Sequence, residues 1–475
     1  MTSDRVLPAP ATHVPETTPS KSARDASRGS AIRLAAEIVI RPSSIIATLW
    51  LTRSLGVAPF GLFVLALSIG LMIAELSDLG LNAVSVPLLV RDAGNLRALL
   101  RLKCVLTAGV ALICVPLIPL VSWVSGVDAV VLTFCSIHFL GASWIEIMGS
   151  SLRALGRRVD EAVVLFVFRF ALVALVIGSP FGLTLPGAAL SYAASVPLAI
   201  AYGMQRLHAD WAGPRGPRLD DRAILGQALP MGVNGALAIL STRIELFFLK
   251  AFHGEHLVGL FGGPLRIIDS LLTLPAAIAA GALPSLARDV VQGSRGAAQR
   301  TFGLVAWIGI PAAAGLALCA PDVLRVLGPG FVEGAGLLRV LSMALFLCFA
   351  NSALFSVLIG AGQTAVIPRL TAIRVGAAVV LSASLVPGLG AEGAGLSFTA
   401  SEAILFALLI RASRPHAHID VLRPVGWALV SCLPMAAVLL RWSMPLPAGV
   451  VIGAALFGLT AFAVLRRGTL AAGLA

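Results

Sequence analysis

Charged side chains are scarce in this sequence, and their scarcity excludes a water-soluble globular protein. Only 12% of the 475 residues are Asp, Glu, Lys or Arg, whereas 58% are hydrophobic and the mean hydropathy is +0.95. A soluble domain of this composition would have too little polar surface to cover itself, but a chain that crosses a bilayer many times requires it. Since an α-helix satisfies its own backbone hydrogen bonds in lipid, we expect an all-α polytopic membrane protein.

Several functional motifs are missing as well. No Gly-rich phosphate loop followed by Lys is present, so no ATPase module would drive the protein. The longest interior loop, Gln205 to Arg222, has about 18 residues, too few for the extramembrane domain of a membrane glycosyltransferase or polymerase. No CxxC pair occurs, and we interpret all six cysteines as small buried hydrophobic residues: Cys104, Cys114, Cys135, Cys319, Cys348 and Cys432. We therefore predict no enzymatic activity, no metal and no cofactor.

Acidic residues are fewer than basic ones, 23 against 35, and the formal net charge is +12. The basic residues are spread through short turns between apolar runs, which indicates membrane topology and no nucleic-acid partner. One set of turns collects most of them, Lys103 included, while the opposite set holds only Arg53, Lys250, Arg325 and Arg441. Because Lys and Arg remain on the cytoplasmic side, we expect both termini in the cytoplasm and an even number of spans.

The apolar runs predict about 14 transmembrane helices. Residues 1–28 carry no apolar surface and are expected to form a disordered cytoplasmic tail. Residues 29–205 form an N-lobe, 206–222 a cytoplasmic linker, 223–411 a C-lobe, and 412–475 two extra C-terminal helices. The predicted spans are 30–53, 58–77, 99–122, 129–151, 161–178, 184–204, 223–249, 257–283, 300–319, 334–360, 365–387, 392–410, 424–441 and 446–465.

The chain is doubled. LGVAPFGLF (Leu55 to Phe63) matches FHGEHLVGLF (Phe252 to Phe261), and GAALSYAAS (Gly187 to Ser195) matches GAGLSFTAS (Gly393 to Ser401). The matches keep their order, and their offsets are nearly equal, although Gly- and Ala-rich membrane helices also resemble one another by composition alone. Since a repeat of six helices is even, we expect two parallel lobes around a cavity, related by an axis along the membrane normal.

Three stretches resemble a known family: RSLGVAPFGLFVLALSIGLMIAELSDLGL, VGLFGGPLRIIDSLLTLPAAIAAGALPSLAR, and APDVLRVLGPGF with the apolar run after it. The sequence is similar, from about Gly29 onward, to the polysaccharide transporters or oligosaccharide flippases. Their superfamily includes the multidrug and toxin extruders and the lipid II flippase. The resemblance implies two six-helix lobes in a V and a cationic cavity lined by the first two helices of each lobe.

The implied function is flipping of a polyprenyl-diphosphate-linked oligosaccharide across the inner membrane by alternating access. It would serve export of an exopolysaccharide or a surface polysaccharide such as lipopolysaccharide O-antigen. The implied partners are this cargo, membrane lipids, a coupling proton or sodium ion, a polysaccharide polymerase and a chain-length regulator. A cation-coupled multidrug extruder and a lipid II flippase remain alternatives.

Arginine is the candidate residue for binding the diphosphate, because its planar guanidinium group binds two phosphate oxygens at once and stays charged. Arg41, Arg169, Arg266 and Arg374 lie near the bilayer midplane, so each should face a wet cavity or a partner. Arg53, Arg243 and Arg339 lie nearer the outer surface, where a cavity role and a plain interfacial role are both open. The full candidate cationic set is Arg41, Arg53, Arg169, Arg243, Arg266 and Arg374.

The acidic residues offer internal pairing as the competing interpretation. Glu37 lies four residues before Arg41, and Asp269 three after Arg266, so each pair shares a helix face. Charge-partner or coupling roles are assigned to Glu37, Glu245, Asp269 and Glu402, with Asp269 or Glu402 as the candidate proton carrier. His138, alone in the fourth helix, is interpreted as a packed polar residue.

Overall fold

The computed structural model describes residues 45–212, 220–292, 296–417, 419–441 and 445–472, and within these ranges the chain forms helices joined by short turns. The helices are α1 (Ile45–Leu55), α2 (Val57–Asp78), α3 (Leu81–Arg91), α4 (Leu96–Ser125), α5 (Ala129–Ala154), α6 (Arg158–Gly178), α7 (Leu185–Ala194), α8 (Val196–Ala212), α9 (Asp221–His253), α10 (Glu255–Leu271), α11 (Thr273–Gln292), α12 (Gly296–Leu318), α13 (Ala320–Leu327), α14 (Ala335–Gly360), α15 (Ile367–Ser413), α16 (Leu422–Arg441) and α17 (Leu446–Ala472).

The second to thirteenth of the spans predicted from hydropathy are confirmed. Within the described ranges, 11 helical segments are long and apolar enough to cross a membrane. One of them contains α15, which has 47 residues and holds two predicted spans, because Gly390 interrupts it with φ 55°. Glycine tolerates this left-handed conformation because it has no Cβ. Shorter apolar stretches, Ile45–Leu55 and Leu446–Phe462, stand where the first and last spans were expected.

Three of the predicted spans are bent, which the sequence analysis missed. The second continues beyond residue 77, because α3 follows α2 after Leu79 and Gly80, both of which have positive φ. The sixth is divided into α7 and α8, and Pro197 near the start of α8 has no N–H to continue the ladder. The eighth is divided into α10 and α11 at Leu272. Each bend changes the direction of a helix inside the bundle.

Helices α2–α8 pack mainly on one another, and so do α9–α15, while α16 packs on α12 and α17 on α16. The two groups meet where α2 and α3 cross α9 and α10. We refer to them as the N-lobe and the C-lobe. The contact between the lobes therefore runs along the second predicted helix of the N-lobe and the first two of the C-lobe.

The lobes are in contact at both ends of this crossing. At the end that holds the turn between α9 and α10, here the turn end, Gly61 and Gly259 lie so close that a Cβ on either would overlap the opposite backbone. At the opposite end, the linker end, Gly80 and Gly232 make the same kind of approach. The space between the lobes is therefore closed at both ends in this conformation.

An aromatic contact and an ion pair add to this closure. At the turn end, the ring of Phe331, which precedes α14, lies edge-on to that of Phe60 in α2, with 5.8 Å between centroids. At the linker end, Nη2 of Arg101 in α4 lies 2.7 Å from Oδ1 of Asp221 in α9. Both contacts join the N-lobe to the C-lobe.

Several predictions fall outside the described residues: the disordered tail at 1–28, Glu37 and Arg41 as a charge pair, and residues 213–219 of the linker. They stay predictions.

Candidate substrate cavity

Arg266 of α10 lies on a cavity of about 210 Å³. The walls come from α1, α10, α13 and the first residue of α17, and they are mostly Ile, Leu and Val side chains. Thr48 and Ser270 add two hydroxyl groups. Arg266 itself is half-buried, and no carboxylate of the described residues lies within ion-pair distance of it. The cavity thus combines one guanidinium, two hydroxyls and an apolar wall.

Asp269, the expected partner of Arg266, is bound elsewhere. Its Oδ2 accepts a hydrogen bond from Nη2 of Arg243 in α9 at 2.8 Å. The side chain of Arg243 is 9% exposed, so it has more need of a counter-charge than the half-buried Arg266. The i, i+3 pair inferred from spacing is therefore not formed, and the structure also removes Arg243 from the free cations of the cavity.

Arg169 approaches the same region from the N-lobe. It lies in α6, half-buried, with its guanidinium carbon 5.2 Å from the ring centroid of Phe168. Arg169 and Arg266 are both electrostatic neighbours of His138 and Tyr192. The structure thus brings together two predicted arginines that are 97 positions apart and belong to different lobes.

His138 is packed as the sequence indicated. Its Nδ1 lies 2.8 Å from the carbonyl oxygen of Tyr192, and its ring stacks on Phe168 with 5.5 Å between centroids. These contacts hold α5 against α6 and α7. Tyr192, which the sequence analysis did not single out, stands beside Arg169 and Arg266 and packs edge-on against Phe63 at 5.1 Å.

Arg374 does not face the cavity in this conformation, which corrects the sequence prediction. The residue is 3% exposed and lies inside the C-lobe, with Nη2 2.6 Å from Oε1 of Glu402. Its Nη1 donates to the hydroxyl of Ser241, and the amide of Asn351 donates to Oε2 of Glu402 at 2.6 Å. A midplane position is compatible with a wet cavity or with a buried partner, and here the partner is present.

Glu245 lies beside this buried group. It is fully buried, and neither carboxylate oxygen has a hydrogen-bond partner in the part of the chain that the structure describes. Arg374, Glu402 and Arg243 are its electrostatic neighbours. Glu245 and Glu402 therefore belong to one cluster on α9 and α15, whereas Asp269 belongs to the pair with Arg243.

Arg53 is placed at the turn end of α1. Its side chain is exposed, and Nε donates to the carbonyl oxygen of Val326, near the end of α13, at 2.9 Å. The interfacial role that the sequence left open fits this contact better than a position inside the cavity.

Lys103 was interpreted as a cytoplasmic topology residue, and this was wrong. It is fully buried in the N-lobe, with Nζ 2.9 Å from Oδ1 of Asp78 and 2.6 Å from the hydroxyl of Ser143. Its distance of two helical turns from the start of α4 was the available signal. The prediction that every cysteine is buried also fails, because Cys104 is exposed.

Comparison with solved structures gives the fold. The chain is similar to the lipid II flippase MurJ in an inward closed conformation, with a TM-score of 0.70 and 11% identity over 93% of this chain and 100% of that one. It is also similar to an inward-facing multidrug resistance MATE family transporter of the MOP superfamily, with a TM-score of 0.61 and 18% identity over 81% and 98%. The chain therefore has the same fold as these two solved structures.

The similarity found by sequence comparison covers a smaller part of the chain than the structural similarity does. A probable multidrug resistance protein, YpnP of Bacillus subtilis (strain 168), is 29% identical over 168 residues, which make up 33% of this chain and 37% of that protein. No family model matches the chain.

Proposed function

We propose that this protein translocates polyprenyl-diphosphate-linked oligosaccharides across the bacterial inner membrane by alternating access of its two lobes. The observation that carries the proposal is the guanidinium of Arg266, which has no ion-pair partner among the described residues, on a cavity with otherwise apolar and hydroxyl walls. A diphosphate is the chemical group that such a cation binds best, through charge-assisted bidentate hydrogen bonds. The apolar walls suit the polyprenyl chain that is attached to it.

Arg169 supports the same ligand. Arg169 of the N-lobe interacts electrostatically with His138 and Tyr192, and Arg266 of the C-lobe does the same. A diphosphate carries more than one negative charge, so cations from two lobes would bind it more strongly when the lobes approach. This arrangement would also link cargo binding to lobe movement.

The cavity is too small for the whole proposed cargo, which bears on the state of the transport cycle that this conformation represents. About 210 Å³ is below the volume of a typical site for a drug-sized ligand. A diphosphate and the first isoprene units are small enough, but sugars require the lobes to separate at one end. Since both ends are in contact, the conformation corresponds to a closed state between the two open ones.

A multidrug extruder is the second candidate, and the similarity to YpnP favours it. A cationic drug would need an uncompensated carboxylate in the cavity. Among the described residues the nearest carboxylate is Asp269, which is neutralised by Arg243 at 2.8 Å, and the remaining charge of Arg266 is positive. A lipid II flippase would carry the same polyprenyl diphosphate with a different head group, so the cavity favours it and the oligosaccharide flippase equally.

The test is transport of a fluorescent polyprenyl-diphosphate oligosaccharide into vesicles that contain the purified protein. We expect Arg266→Gln to abolish transport and Arg266→Lys to restore it in part, because lysine keeps the charge without the planar fork. Arg325→Gln is the matched control, since Arg325 is exposed and paired with Asp322 in its own helix. Full transport by Arg266→Gln at normal abundance would refute the proposal.

A further inference from the structure

A polar strip on the N-lobe is formed by Asn82 of α3 and by Glu146 and Ser150 of α5. The amide nitrogen Nδ2 of Asn82 donates a hydrogen bond to Oε2 of Glu146 at 2.9 Å. The hydroxyl of Ser150 donates to Oδ1 of Asn82 at 3.1 Å. Since Glu146 and Ser150 are four residues apart, they lie on the same side of α5. The strip therefore presents a carboxylate, an amide and a hydroxyl side by side.

The polar strip faces the space between the lobes. Glu146 is exposed, although it lies eight residues before the end of α5 and thus about 12 Å inside a spanning helix. A charged side chain that is accessible at this depth faces water and not lipid. Glu75 of α2 is an electrostatic neighbour of Glu146 and lies against Gly235 of α9, in the opposite lobe. The strip is therefore beside the contact between the lobes.

The strip lies on the linker-end side of the arginines of the cavity. Gly126, which precedes α5, lies against Lys250 at the turn end, so α5 runs from the turn end toward the linker end. His138, an electrostatic neighbour of Arg266, is eight residues before Glu146 in α5, or about 12 Å nearer the turn end. Arg169 is an electrostatic neighbour of both His138 and Glu146. The polar lining thus continues from Arg266 past Arg169 to the strip.

We propose that Asn82, Glu146 and Ser150 form a subsite for the first sugars of the cargo, so that the protein selects a lipid-linked oligosaccharide over the bare lipid diphosphate. This rests on the function proposed above. In such a cargo the polyprenyl chain and the sugars are attached to opposite ends of the diphosphate. With the diphosphate at Arg266 and the isoprene units against the apolar walls of the cavity, the sugars extend toward the linker end, where the strip lies.

The functional groups of the strip match those of a sugar. A carboxylate accepts hydrogen bonds from hydroxyl groups, whereas an amide and a serine hydroxyl both donate and accept them. In the described chain Asn82 is the only hydrogen-bond donor to Glu146, and it uses Oε2, so Oε1 can accept from a sugar hydroxyl. A site built to bind hydroxyl groups discriminates against a ligand that lacks them, because its own polar groups are then left unpaired.

The experiment compares two ligands of the purified protein in lipid nanodiscs: a polyprenyl diphosphate without sugar, and the same lipid bearing a cellobiose disaccharide. We expect the wild type to bind the disaccharide lipid more tightly. Glu146→Gln and Asn82→Ala should each weaken binding of the disaccharide lipid about tenfold, the effect of one hydrogen bond to a charged group. Their affinity for the bare lipid should be unchanged, and Ser150→Ala should show a smaller effect of the same kind.

Gln299→Ala is the matched control. It removes an amide that hydrogen-bonds to the backbone of Asp420, away from the strip. We expect this variant to bind both lipids as the wild type does. Size-exclusion elution and thermal melting establish that each variant is folded. A ratio of two affinities also separates contact with the sugar from a general loss of structure, which weakens both lipids.

Arg266→Gln distinguishes this proposal from the proposed function, because it should weaken binding of both lipids alike. If the wild type binds the two lipids equally, or if Glu146→Gln and Asn82→Ala weaken both to the same extent, the subsite is wrong and the diphosphate site stands. If the wild type binds neither lipid, the proposed function and the subsite fail together. If the preference for the disaccharide lipid requires sodium in the wild type but not in Glu146→Gln, a metal cation occupies the strip, and the subsite is again wrong.

Discussion

Asp269 accepts a hydrogen bond from Arg243 of the adjacent helix at 2.8 Å, although Arg266 lies only three residues before it in α10. The counter-charge is thus taken by the more deeply buried of two arginines. Arg266 is left without an ion-pair partner among the described residues, and this difference supports the ligand role that we propose for it.

The first prediction follows from that pair. If Arg266 only neutralised Asp269, combining Arg266→Gln with Asp269→Asn would restore transport. We expect no restoration, because Asp269 forms its ion pair with Arg243 in the structure. The double variant should transport no better than Arg266→Gln alone in the vesicle assay. Recovery to wild-type transport would show that Arg266 serves the carboxylate.

The second prediction concerns the turn end of the lobe contact. Gly259→Ala would place a Cβ against the backbone of Val57, so the lobes should remain apart there. Spin labels on Val130→Cys and Glu333→Cys, both exposed, would report a longer distance. Gly315→Ala is the control, since a Cβ at Gly315 meets nothing within 4 Å. An unchanged distance distribution for Gly259→Ala would mean that the contact does not define closure.

The third prediction concerns Lys103. Lys103→Met should lower the free energy of unfolding by about 3–5 kcal/mol, because it leaves Asp78 buried without its cation. Denaturant-induced unfolding in mixed micelles measures this, and adding Asp78→Asn should recover part of the loss. Lys250→Met removes a partly exposed pair with Glu255 and should cost less than about 1 kcal/mol. Equal losses for the two lysines would contradict the burial argument.

The fourth prediction concerns orientation. Single cysteines at Ala212, in the linker, and at His256, in the first turn of α10, should differ in labelling by an impermeant maleimide in a cysteine-free background. We expect only the His256→Cys variant to be labelled from outside intact spheroplasts. His256 is preferred to Gly254, whose φ of 81° would strain a cysteine. Labelling of Ala212→Cys from outside would reverse the topology.

Hydropathy predicted the number and order of the spans, because a spanning helix must be long and apolar whatever its neighbours are. Bends were missed where their cause is a local backbone conformation, as at Leu79 and Gly80, whereas the break at Gly390 falls between two predicted spans. Position along a span identified Arg266, Arg169 and Arg374 as costly charges. It did not tell which of them meets a cavity and which meets Glu402, since that depends on how α9, α10 and α15 are packed. Lys103 was missed because the predicted span began at residue 99, only one turn before it, and a basic residue that close to a helix end can reach water by snorkelling.

Binding of a polyprenyl diphosphate to the purified protein in lipid nanodiscs tests the central claim most directly. The ligand is compared with the corresponding polyprenyl alcohol and with a lipophilic cation. We expect the wild type to prefer the diphosphate, and Arg266→Gln to weaken its binding about tenfold to a hundredfold, since hydrogen bonds to charged groups contribute about 1.5–3 kcal/mol. Arg325→Gln should bind as the wild type does. Unchanged affinity of Arg266→Gln for the diphosphate, or preference of the wild type for the cation, would contradict the account.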